Sequence, residues 1–181
     1  YFKPQIKQAK YDIVFVGNMG YAPNIDAATF LCKDILPILQ KQKSDIKILL
    51  AGTNPSSTVL KLQSKSVTVS GWMDDIREAY ADSTLFIAPM RIGTGLQNKL
   101  LEAMAMKKAC ICTELASTPI KAPQNSLLVG NTKEELAALC LELLKNNELR
   151  NTVSSKGYEF VTDRYKWEKT TERLHNLFFS N

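Results

Sequence analysis

Short apolar runs alternate along the chain with longer segments whose apolar residues recur every three or four positions. Each run is continuous and short, which is typical of a strand buried on both faces of a parallel sheet. Six runs have this character: DIVFVGN, DIKILLAG, SVTVSG, TLFIAPM, ACICT and SLLVG. The segments between them are predicted to be helices. The pattern therefore predicts an α/β fold, with a six-stranded parallel sheet between two layers of helices.

The helical segments follow the same alternation. NIDAATFLCKDILPILQKQ, TVLKLQSK and MDDIREAYADS are predicted to be helices, and the last of these has an acidic first turn. Asn24 follows a proline and is predicted to cap the first helix. From Thr132 onward the chain is predicted to be helical. No internal repeat or linker interrupts this order, so we expect one domain over residues 1–181.

Glycines and small polar residues follow the first four strands. The turns are GNMGYAPN, GTNPSS, GWMDD and RIGTG. Open parallel sheets bind ligands beyond the carboxyl ends of their strands, where glycine lets the backbone approach the ligand closely. Glycine also suits any tight turn, so each turn alone is compatible with a purely structural role.

Three common kinds of site are excluded by these turns. Gly17 and Gly20 lack the GxGxxG spacing of a nicotinamide-binding Rossmann domain, and the second strand ends in Gly52 rather than in an acidic residue. The GxxxxGK[ST] motif of a P-loop does not occur in the sequence. A phosphorylated receiver domain needs acidic residues at the end of the first strand, where this chain has Gly17 and Asn18.

The segment RIGTGLQNKLLEAMAMKK, from Arg91 to Lys108, predicts a helix with two different faces. The face expected to pack on the core carries Leu96, Leu100, Ala103 and Met104. The other face carries Gly95, Asn98, Lys99, Glu102 and Met106. Free amides beside the glycines, with Lys99 one turn further on, suit phosphate oxygens, and the carboxylate of Glu102 suits a ribose diol. The alternative is a solvated Lys99–Glu102 pair on the surface.

Composition and charge narrow the class of protein. The 181 residues are 45% hydrophobic and 23% charged, which is typical of a globular domain. No apolar run approaches the roughly 20 residues of a membrane span, and the start YFKPQIKQAKYD lacks the apolar core of a signal peptide, so we expect a cytoplasmic protein. The net charge of +5 suits an anionic ligand, but no basic run with interleaved aromatics indicates nucleic acid.

Cysteine and histidine residues do not suggest a metal site. Cys32, Cys110, Cys112 and Cys140 lack CxxC spacing and lie in apolar runs, so buried thiols are favoured over metal ligands or disulfides. His175, the only histidine of the sequence, lies near the C-terminus, where a catalytic role is not expected.

The glycine-rich helix resembles a known motif. PMRIGTGLQNKLLEAMAM is similar to the donor-site motif of retaining glycosyltransferases of family 4, which have the GT-B fold. The resemblance extends, in the same order, to IVFVGNMGYAPNIDA, VTVSGWMDDIREAYADSTLFIAP, NSLLVGNTKEELA and DRYKWE. It implies the C-terminal half of such an enzyme, a Rossmann-like three-layer α/β/α domain that binds the nucleotide-sugar donor. A separate N-terminal domain would then bind the acceptor.

The resemblance also implies roles for individual residues. Glu102 matches the second glutamate of the family's E-x7-E motif, which binds the ribose hydroxyls. Thr94 takes the place of the first glutamate, which usually contacts the donor sugar, and this is a departure from the family pattern. Gly93, Thr94, Gly95 and Leu96 match the loop whose amides meet the diphosphate.

The family's basic pair after the first strand is missing from this chain. Asn18 and Asn24 stand in its places, so Arg91 and Lys99 are expected to supply the positive charge. Together with Glu102 these two are the expected catalytic residues, because amides and basic groups stabilise the departing diphosphate without a metal or a protein nucleophile.

The turns after the first and third strands are expected to complete the donor site. Gly17 and Asn18 lie in the first of these turns. Gly71 and Trp72 match the place where the family holds the base through backbone contacts. A buried aromatic anchor is the alternative for Trp72.

Two functions are compatible with these residues. The first is transfer of a sugar, of the hexosyl type, from a nucleoside diphosphate sugar to a cell-surface polysaccharide or glycolipid. The chain alone would then be inactive without its acceptor domain, and the full-length protein would lie in the cytoplasm or at the inner face of the cytoplasmic membrane. The second is a non-catalytic nucleotide-binding module of similar fold, which the departure at Thr94 leaves open.

The segment 166–181 is predicted to be a C-terminal helix. It carries Trp167, Leu174, Leu177 and Phe178 on roughly one stripe, and in this fold the last helix commonly reaches toward the partner domain. We expect the stripe either to pack toward that domain, and to mediate self-association in its absence, or to pack on the core.

Overall fold

Six parallel strands form the centre of the structure, a computed structural model that describes residues 1–93 and 95–165. The strands are β1 (Tyr11–Val16), β2 (Ile48–Ala51), β3 (Val67–Val69), β4 (Ser83–Ala88), β5 (Ala109–Cys112) and β6 (Leu128–Val129). Their order across the sheet is β3-β2-β1-β4-β5-β6, and every neighbouring pair is parallel. The predicted fold class is confirmed. The order reverses between β1 and β4, so the loops after these two strands part and leave a crevice between them.

Helices cover both faces of the sheet. They are α1 (Ala22–Phe30), α2 (Leu36–Gln40), α3 (Ser57–Leu60), α4 (Arg77–Ala81), α5 (Asn98–Ala105), α6 (Glu114–Ser117), α7 (Lys133–Lys145) and α8 (Asn147–Arg164). α2 packs against α7, and α5 packs against α8. A π-helical turn, Leu31–Ile35, joins α1 to α2. Because Pro37 has no N–H, the α-helical hydrogen-bond ladder is interrupted here, and Leu36 donates to the carbonyl of Leu31.

The core is built on the two central strands. Ile13, Val14 and Phe15 of β1 are fully buried, and so are Leu85 and Phe86 of β4. Successive residues of a strand point to opposite faces of the sheet, so complete burial of consecutive residues requires helices on both sides. This is why the strands read as continuous apolar runs in the sequence.

The prediction that Asn24 caps the first helix is wrong. Tyr21 takes the cap position, and α1 begins at Ala22 with Pro23 in its first turn. Proline is favoured at the first positions of a helix, so the helix begins before Pro23 rather than after it. Asn24 therefore lies inside the first turn, where it is buried.

The helix predicted from the glycine-rich segment is shorter than expected. α5 runs from Asn98 to Ala105, so the glycines and Leu96 precede it and Met106 follows it. Leu96 is 45% exposed although the helical pattern places it in the core, and Met106 is buried although the pattern places it outside. Helical periodicity does not apply to residues beyond the ends of the helix. The predicted core residues inside α5 are buried: Leu100, Ala103 and Met104.

Several predictions concern residues outside the described ranges. These residues are Thr94 and the segment 166–181, which includes Trp167, Leu174, His175, Leu177 and Phe178. Within the described part of the chain, no helix has both the length and the apolar character needed to cross a membrane.

The cysteines are free thiols in largely apolar surroundings. Cys110, Cys112 and Cys140 are buried, and Cys32 is partly buried. Burial raises the pKa of Cys112 and of Cys140 to about 12, because an apolar environment disfavours the thiolate. The prediction of buried thiols is thus confirmed for Cys110, Cys112 and Cys140.

Candidate functional site

A cavity of about 380 Å³ opens beyond the carboxyl ends of β1, β2 and β3. Its lining comes from the turns after these strands, from α5 and from Tyr1. The cavity brings together four predicted site residues that are far apart in the sequence: Gly17, Asn18, Trp72 and Glu102. It lies where open parallel sheets bind their ligands, and it is the candidate site.

Two glycines let the turns after β1 and β2 approach each other. Gly52 has a φ of +133°, which side chains rarely allow, and a Cβ placed on it would lie 1.9 Å from the carbonyl oxygen of Gly17. A Cβ on Gly17 would lie 2.7 Å from Nδ2 of Asn24. Since neither position has room for a side chain, this wall of the cavity is backbone, and a ligand can contact its peptide groups directly.

Glu102 presents its carboxylate to the cavity from the second turn of α5. The hydroxyl of Tyr80, a fully buried residue of α4, donates a hydrogen bond of 2.8 Å to Oε2 of Glu102. Among the described residues, no ion pair joins Glu102 to Lys99. The two side chains of the expected surface pair therefore have different partners.

Lys99 is not among the residues that line the cavity, and its side chain contacts α1 and β1 instead. Its Nζ donates to Oδ1 of Asn24 and lies 5.0 Å from the ring centre of Phe15. Nδ2 of Asn24 in turn donates to the carbonyl of Asn18 at 2.9 Å. Burial lowers the pKa of Lys99 to about 8, and the nearby charge of Glu102 opposes this shift. Lys99 is thus a partly desolvated cation held by neutral groups.

Arg91 is held on the rim by a carboxylate. Its guanidinium forms two hydrogen bonds to Asp26, of 2.6 and 3.0 Å, and lies 4.3 Å from the ring centre of Phe30. Such a two-point pair fixes the orientation of the guanidinium. Arg91 does not line the cavity, and its charge is already balanced by Asp26.

Trp72 is 72% exposed, so the alternative of a buried aromatic anchor is wrong. The indole lines the cavity, and its Nε1 donates to Oδ1 of Asp74 at 3.3 Å. Gly71, just before it, has a φ of +66° at the turn that follows β3. The hydroxyl of Ser70 donates to the carbonyl of Gly71 at 2.9 Å. The indole face and the neighbouring backbone are therefore available to a flat ligand group.

The loop before α5 depends on its glycines for its path. Gly93 has a φ of +112° and Gly95 a φ of +83°, both in the range that favours glycine. A Cβ on Gly93 would lie 3.5 Å from Cβ of Pro23, so this loop runs close to the start of α1. Leu96 is exposed beside it. Gly93, Gly95 and Leu96 are not among the residues that line the cavity, and they precede Lys99 by three to six residues.

Gly52 and Thr53 also line the cavity, and they belong to the GTNPSS turn that the sequence pattern places after a buried strand. Two further residues near the site are revealed by the structure alone. Tyr80 and Asp26 lie in helices of ordinary composition and contact their partners, Glu102 and Arg91, only through the fold. No motif in the sequence identifies these two.

Neither a larger cleft nor a metal-binding cluster among the described residues offers a better candidate site. A larger surface cleft, of about 520 Å³, lies along α8 beside Pro123 and Ser126, but no predicted site residue lines it. No three His, Cys, Asp or Glu side chains within residues 1–93 and 95–165 are arranged to hold a metal ion. The position of the smaller cavity at the strand ends, rather than its size, singles it out.

Solved structures share this fold over nearly the whole chain. TarM from S. aureus gives a TM-score of 0.81 at 17% identity, over 99% of this chain and 37% of TarM. A TarM variant in complex with fondaparinux, α-GlcNAc-glycerol and UDP gives 0.79 at 18% identity, with the same coverage. The C-terminal domain of LpcC, a glycosyl transferase group 1 family protein from Francisella tularensis, gives 0.72 at 20% identity, over 92% of this chain and 96% of that domain. The fold is therefore that of one Rossmann-like domain of a GT-B glycosyltransferase.

Sequence relatives point to the same class of protein. An uncharacterized 44.6 kDa protein in the cps region of Klebsiella pneumoniae is 22% identical over 185 residues, which is 92% of this chain and 47% of that protein. N-acetyl-alpha-D-glucosaminyl L-malate synthase of Bacillus anthracis is 30% identical over 146 residues, which is 75% of this chain and 38% of the enzyme. The chain thus spans less than half the length of these relatives. Residues 10–146 match the model of the family described as glycosyl transferases group 1, so the chain belongs to this family.

Proposed function

We propose that this chain is the donor-binding domain of a retaining glycosyltransferase of family 4 and that it binds a nucleoside diphosphate sugar. The observation that carries the proposal is the cavity beyond β1, β2 and β3. There the carboxylate of Glu102, the backbone of Gly17 and Gly52 and the exposed ring of Trp72 meet. A carboxylate can accept hydrogen bonds from the ribose diol of a nucleotide. Peptide groups can hydrogen-bond to its polar atoms, and an aromatic face can stack on its base.

The donor would lie across the cavity with its ribose on Glu102. The base would lie at the backbone of Gly71 and Trp72. The diphosphate would then reach the loop that precedes α5, with Lys99 and Arg91 as the nearby cations. Of the two, Lys99 is the stronger candidate, because neutral groups hold its ammonium whereas a carboxylate already pairs with Arg91.

In this arrangement the chain would promote the reaction through electrostatics. Negative charge develops on the diphosphate as its bond to the sugar breaks, and loop amides together with Lys99 would stabilise that charge. The proposal uses neither a metal ion nor a protein nucleophile. A polysaccharide or glycolipid acceptor would be held by a second domain, and the complete protein would act in the cytoplasm or at the inner face of the cytoplasmic membrane.

Replacing Glu102 by alanine is expected to weaken nucleoside diphosphate binding by about 1–3 kcal/mol, the range for a lost hydrogen bond to a charged group. Isothermal titration of the chain with UDP, GDP and ADP, and with their sugar derivatives, measures this loss. UDP is the first probe, since it is bound in the TarM variant.

Glu142→Ala is the matched control for this titration. Glu142 is an exposed glutamate of helix α7, and it does not line the cavity, which the partly buried Glu102 does. Equal affinities of the two variants, with both folded, would return Glu102 to an ordinary surface role. Failure of the unmodified chain to bind any of these nucleotides would contradict the proposed function itself.

The chain alone is expected to bind the donor without transferring sugar to an acceptor. Transfer needs the acceptor hydroxyl about 3–3.5 Å from the anomeric carbon, in a site closed to water, and the proposed second domain would supply both conditions. The measurement incubates the chain with labelled donor and a membrane or oligosaccharide extract, in parallel with a longer protein that includes the acceptor domain. Transfer by the 181-residue chain at a comparable rate would contradict the division of labour between the domains.

A further inference from the structure

A buried phenol points at the carboxylate proposed to hold the ribose. Tyr80 has no exposed surface, and its hydroxyl donates to Oε2 of Glu102 at 2.8 Å. A carboxylate has about four acceptor positions, so the bond from Tyr80 leaves the others for a ligand in the cavity. Glu102 is therefore anchored by a protein donor on one side and open to the cavity on the other.

The phenol is itself fixed in place. Its ring packs between Phe2, at 6.1 Å between ring centres, and Phe86, at 5.7 Å. Its oxygen also lies 3.4 Å from the carbonyl oxygen of Lys99, so both neighbours of the hydroxyl are on α5. Burial, together with the charge of Glu102, holds the pKa of Tyr80 well above its usual value. The hydroxyl consequently keeps its proton and acts only as a donor to Glu102.

We propose that Tyr80 is a positioning residue that holds the Glu102 carboxylate in the orientation that accepts a ribose diol, and thereby makes the site selective for ribonucleotides over 2′-deoxyribonucleotides. This role rests on the proposed donor-binding function. A glutamate side chain that rotates freely must be ordered on binding, whereas one held by Tyr80 is already ordered. A ligand without the 2′-hydroxyl leaves an oriented acceptor unpaired, and such a loss discriminates strongly.

The experiment measures affinities for three probes: UDP, 2′-deoxy-UDP and inorganic pyrophosphate. GDP or ADP with its 2′-deoxy counterpart replaces the uridine pair if it binds more tightly. The variants are Tyr80→Phe, which removes only the hydroxyl, and Tyr11→Phe, which removes a hydroxyl at the amino end of β1. Tyr80→Met is the second variant if Tyr80→Phe does not fold, because methionine also lacks the donor and adapts to an apolar cavity.

The unmodified chain and Tyr11→Phe are expected to prefer the ribonucleotide by about tenfold or more, the equivalent of one hydrogen bond to a charged group. Tyr80→Phe is expected to reduce this preference to about threefold or less, with unchanged affinity for pyrophosphate. Pyrophosphate has no ribose, so it reports damage to the site that has nothing to do with Glu102.

The other outcomes separate the failures. If the unmodified chain prefers the ribonucleotide and Tyr80→Phe keeps that preference, the role of Tyr80 is wrong while donor binding stands. If Tyr80→Phe weakens all three probes equally, Tyr80 is merely structural and the proposal is overturned. If the unmodified chain binds ribo- and deoxyribonucleotides equally, the ribose does not lie on Glu102, and both the placement of the ribose and the role of Tyr80 are wrong.

Discussion

Gly52→Ala is expected to destabilise the domain by about 4 kcal/mol, the combined cost of a strained backbone and an overfilled site. The added Cβ would lie 1.9 Å from the carbonyl oxygen of Gly17, and the φ of +133° is itself unfavourable for alanine. The atom in the way belongs to the backbone at the end of a central strand, so it cannot rotate aside. Urea unfolding of the unmodified chain and of Gly52→Ala measures the difference in the free energy of unfolding.

Gly71→Ala is the matched control for this prediction. Gly71 also has a positive φ, of +66°, but a Cβ there would meet nothing within 4 Å. Its substitution is expected to cost only about 1–2 kcal/mol, the price of a left-handed conformation. If the two variants lose the same stability, the close approach of the β1 and β2 turns is not the reason that glycine occupies position 52.

The strands of this fold could be predicted because their burial is complete. In β4 the four consecutive residues from Leu85 to Ala88 are fully buried and apolar, so this run stands out from the helical spacing around it. The strand ends then direct attention to the turns that carry Gly17 and Trp72, and both residues line the cavity. The sequence pattern therefore predicts the end of the sheet at which the candidate site lies.

The ends of helices are predicted less accurately than the strands, because the same type of residue can occupy the cap or the first turn of a helix. Asn24 is a good cap residue by type, but Pro23 suits the first turn, and α1 begins before both. Leu96 and Met106 fit a helical stripe, yet they lie beyond the ends of α5. A helical wheel drawn over the whole segment from Arg91 to Lys108 therefore assigns a face to Leu96 and to Met106, although neither residue belongs to the helix.

The electrostatic partners of the site could not be predicted, since they are made by the fold alone. Tyr80 of α4 bonds to Glu102 of α5 across 22 residues of the sequence, and Lys99 bonds to Asn24 of α1 across 75 residues. Spacing along the chain contains no information on either contact. The resemblance to family 4 implies that Arg91 and Lys99 supply the positive charge that Asn18 and Asn24 lack. Only the structure shows that Arg91 is paired with the carboxylate of Asp26, whereas Lys99 is held by a neutral amide.

Lys99→Gln is expected to weaken nucleoside diphosphate binding by about 10- to 100-fold, while binding of the nucleoside changes by less than about threefold. Glutamine can still donate a hydrogen bond to Oδ1 of Asn24, so the substitution removes the charge and retains the donor. Titration with UDP and uridine separates the two effects, because uridine lacks the diphosphate.

Two controls accompany this measurement. Arg91→Gln is expected to have a smaller effect on UDP binding, because Asp26 already pairs with that guanidinium. Lys108→Gln removes a lysine that is also partly buried but donates to the carbonyl of Ser83, where β4 begins. It is expected to leave the affinity for UDP unchanged. Equal losses of UDP and uridine binding in Lys99→Gln would mean that its effect is structural.

The charge of Lys99 is also expected to make binding and stability respond to pH in opposite directions. Its pKa is about 8 in the folded chain and about 10.5 without burial, so the unfolded chain binds more protons at this side chain between those values. Raising the pH through this window therefore increases the contribution of Lys99 to the free energy of unfolding. Below pH 8 the side chain is charged in both states, so the full cost of burying the ammonium is present. A diphosphate favours the ammonium, so its affinity falls over the same window.

Titrations of UDP between about pH 7 and pH 10, in the unmodified chain and in Lys99→Arg, test this expectation. Arginine stays charged throughout the range, so its chain is expected to show a flatter dependence of affinity on pH. Ionisation of the base or the phosphate affects both chains alike and cancels in the comparison. If the affinity for UDP falls equally steeply with pH in both chains, the titrating group is not Lys99. A different basic group would then have to bind the diphosphate.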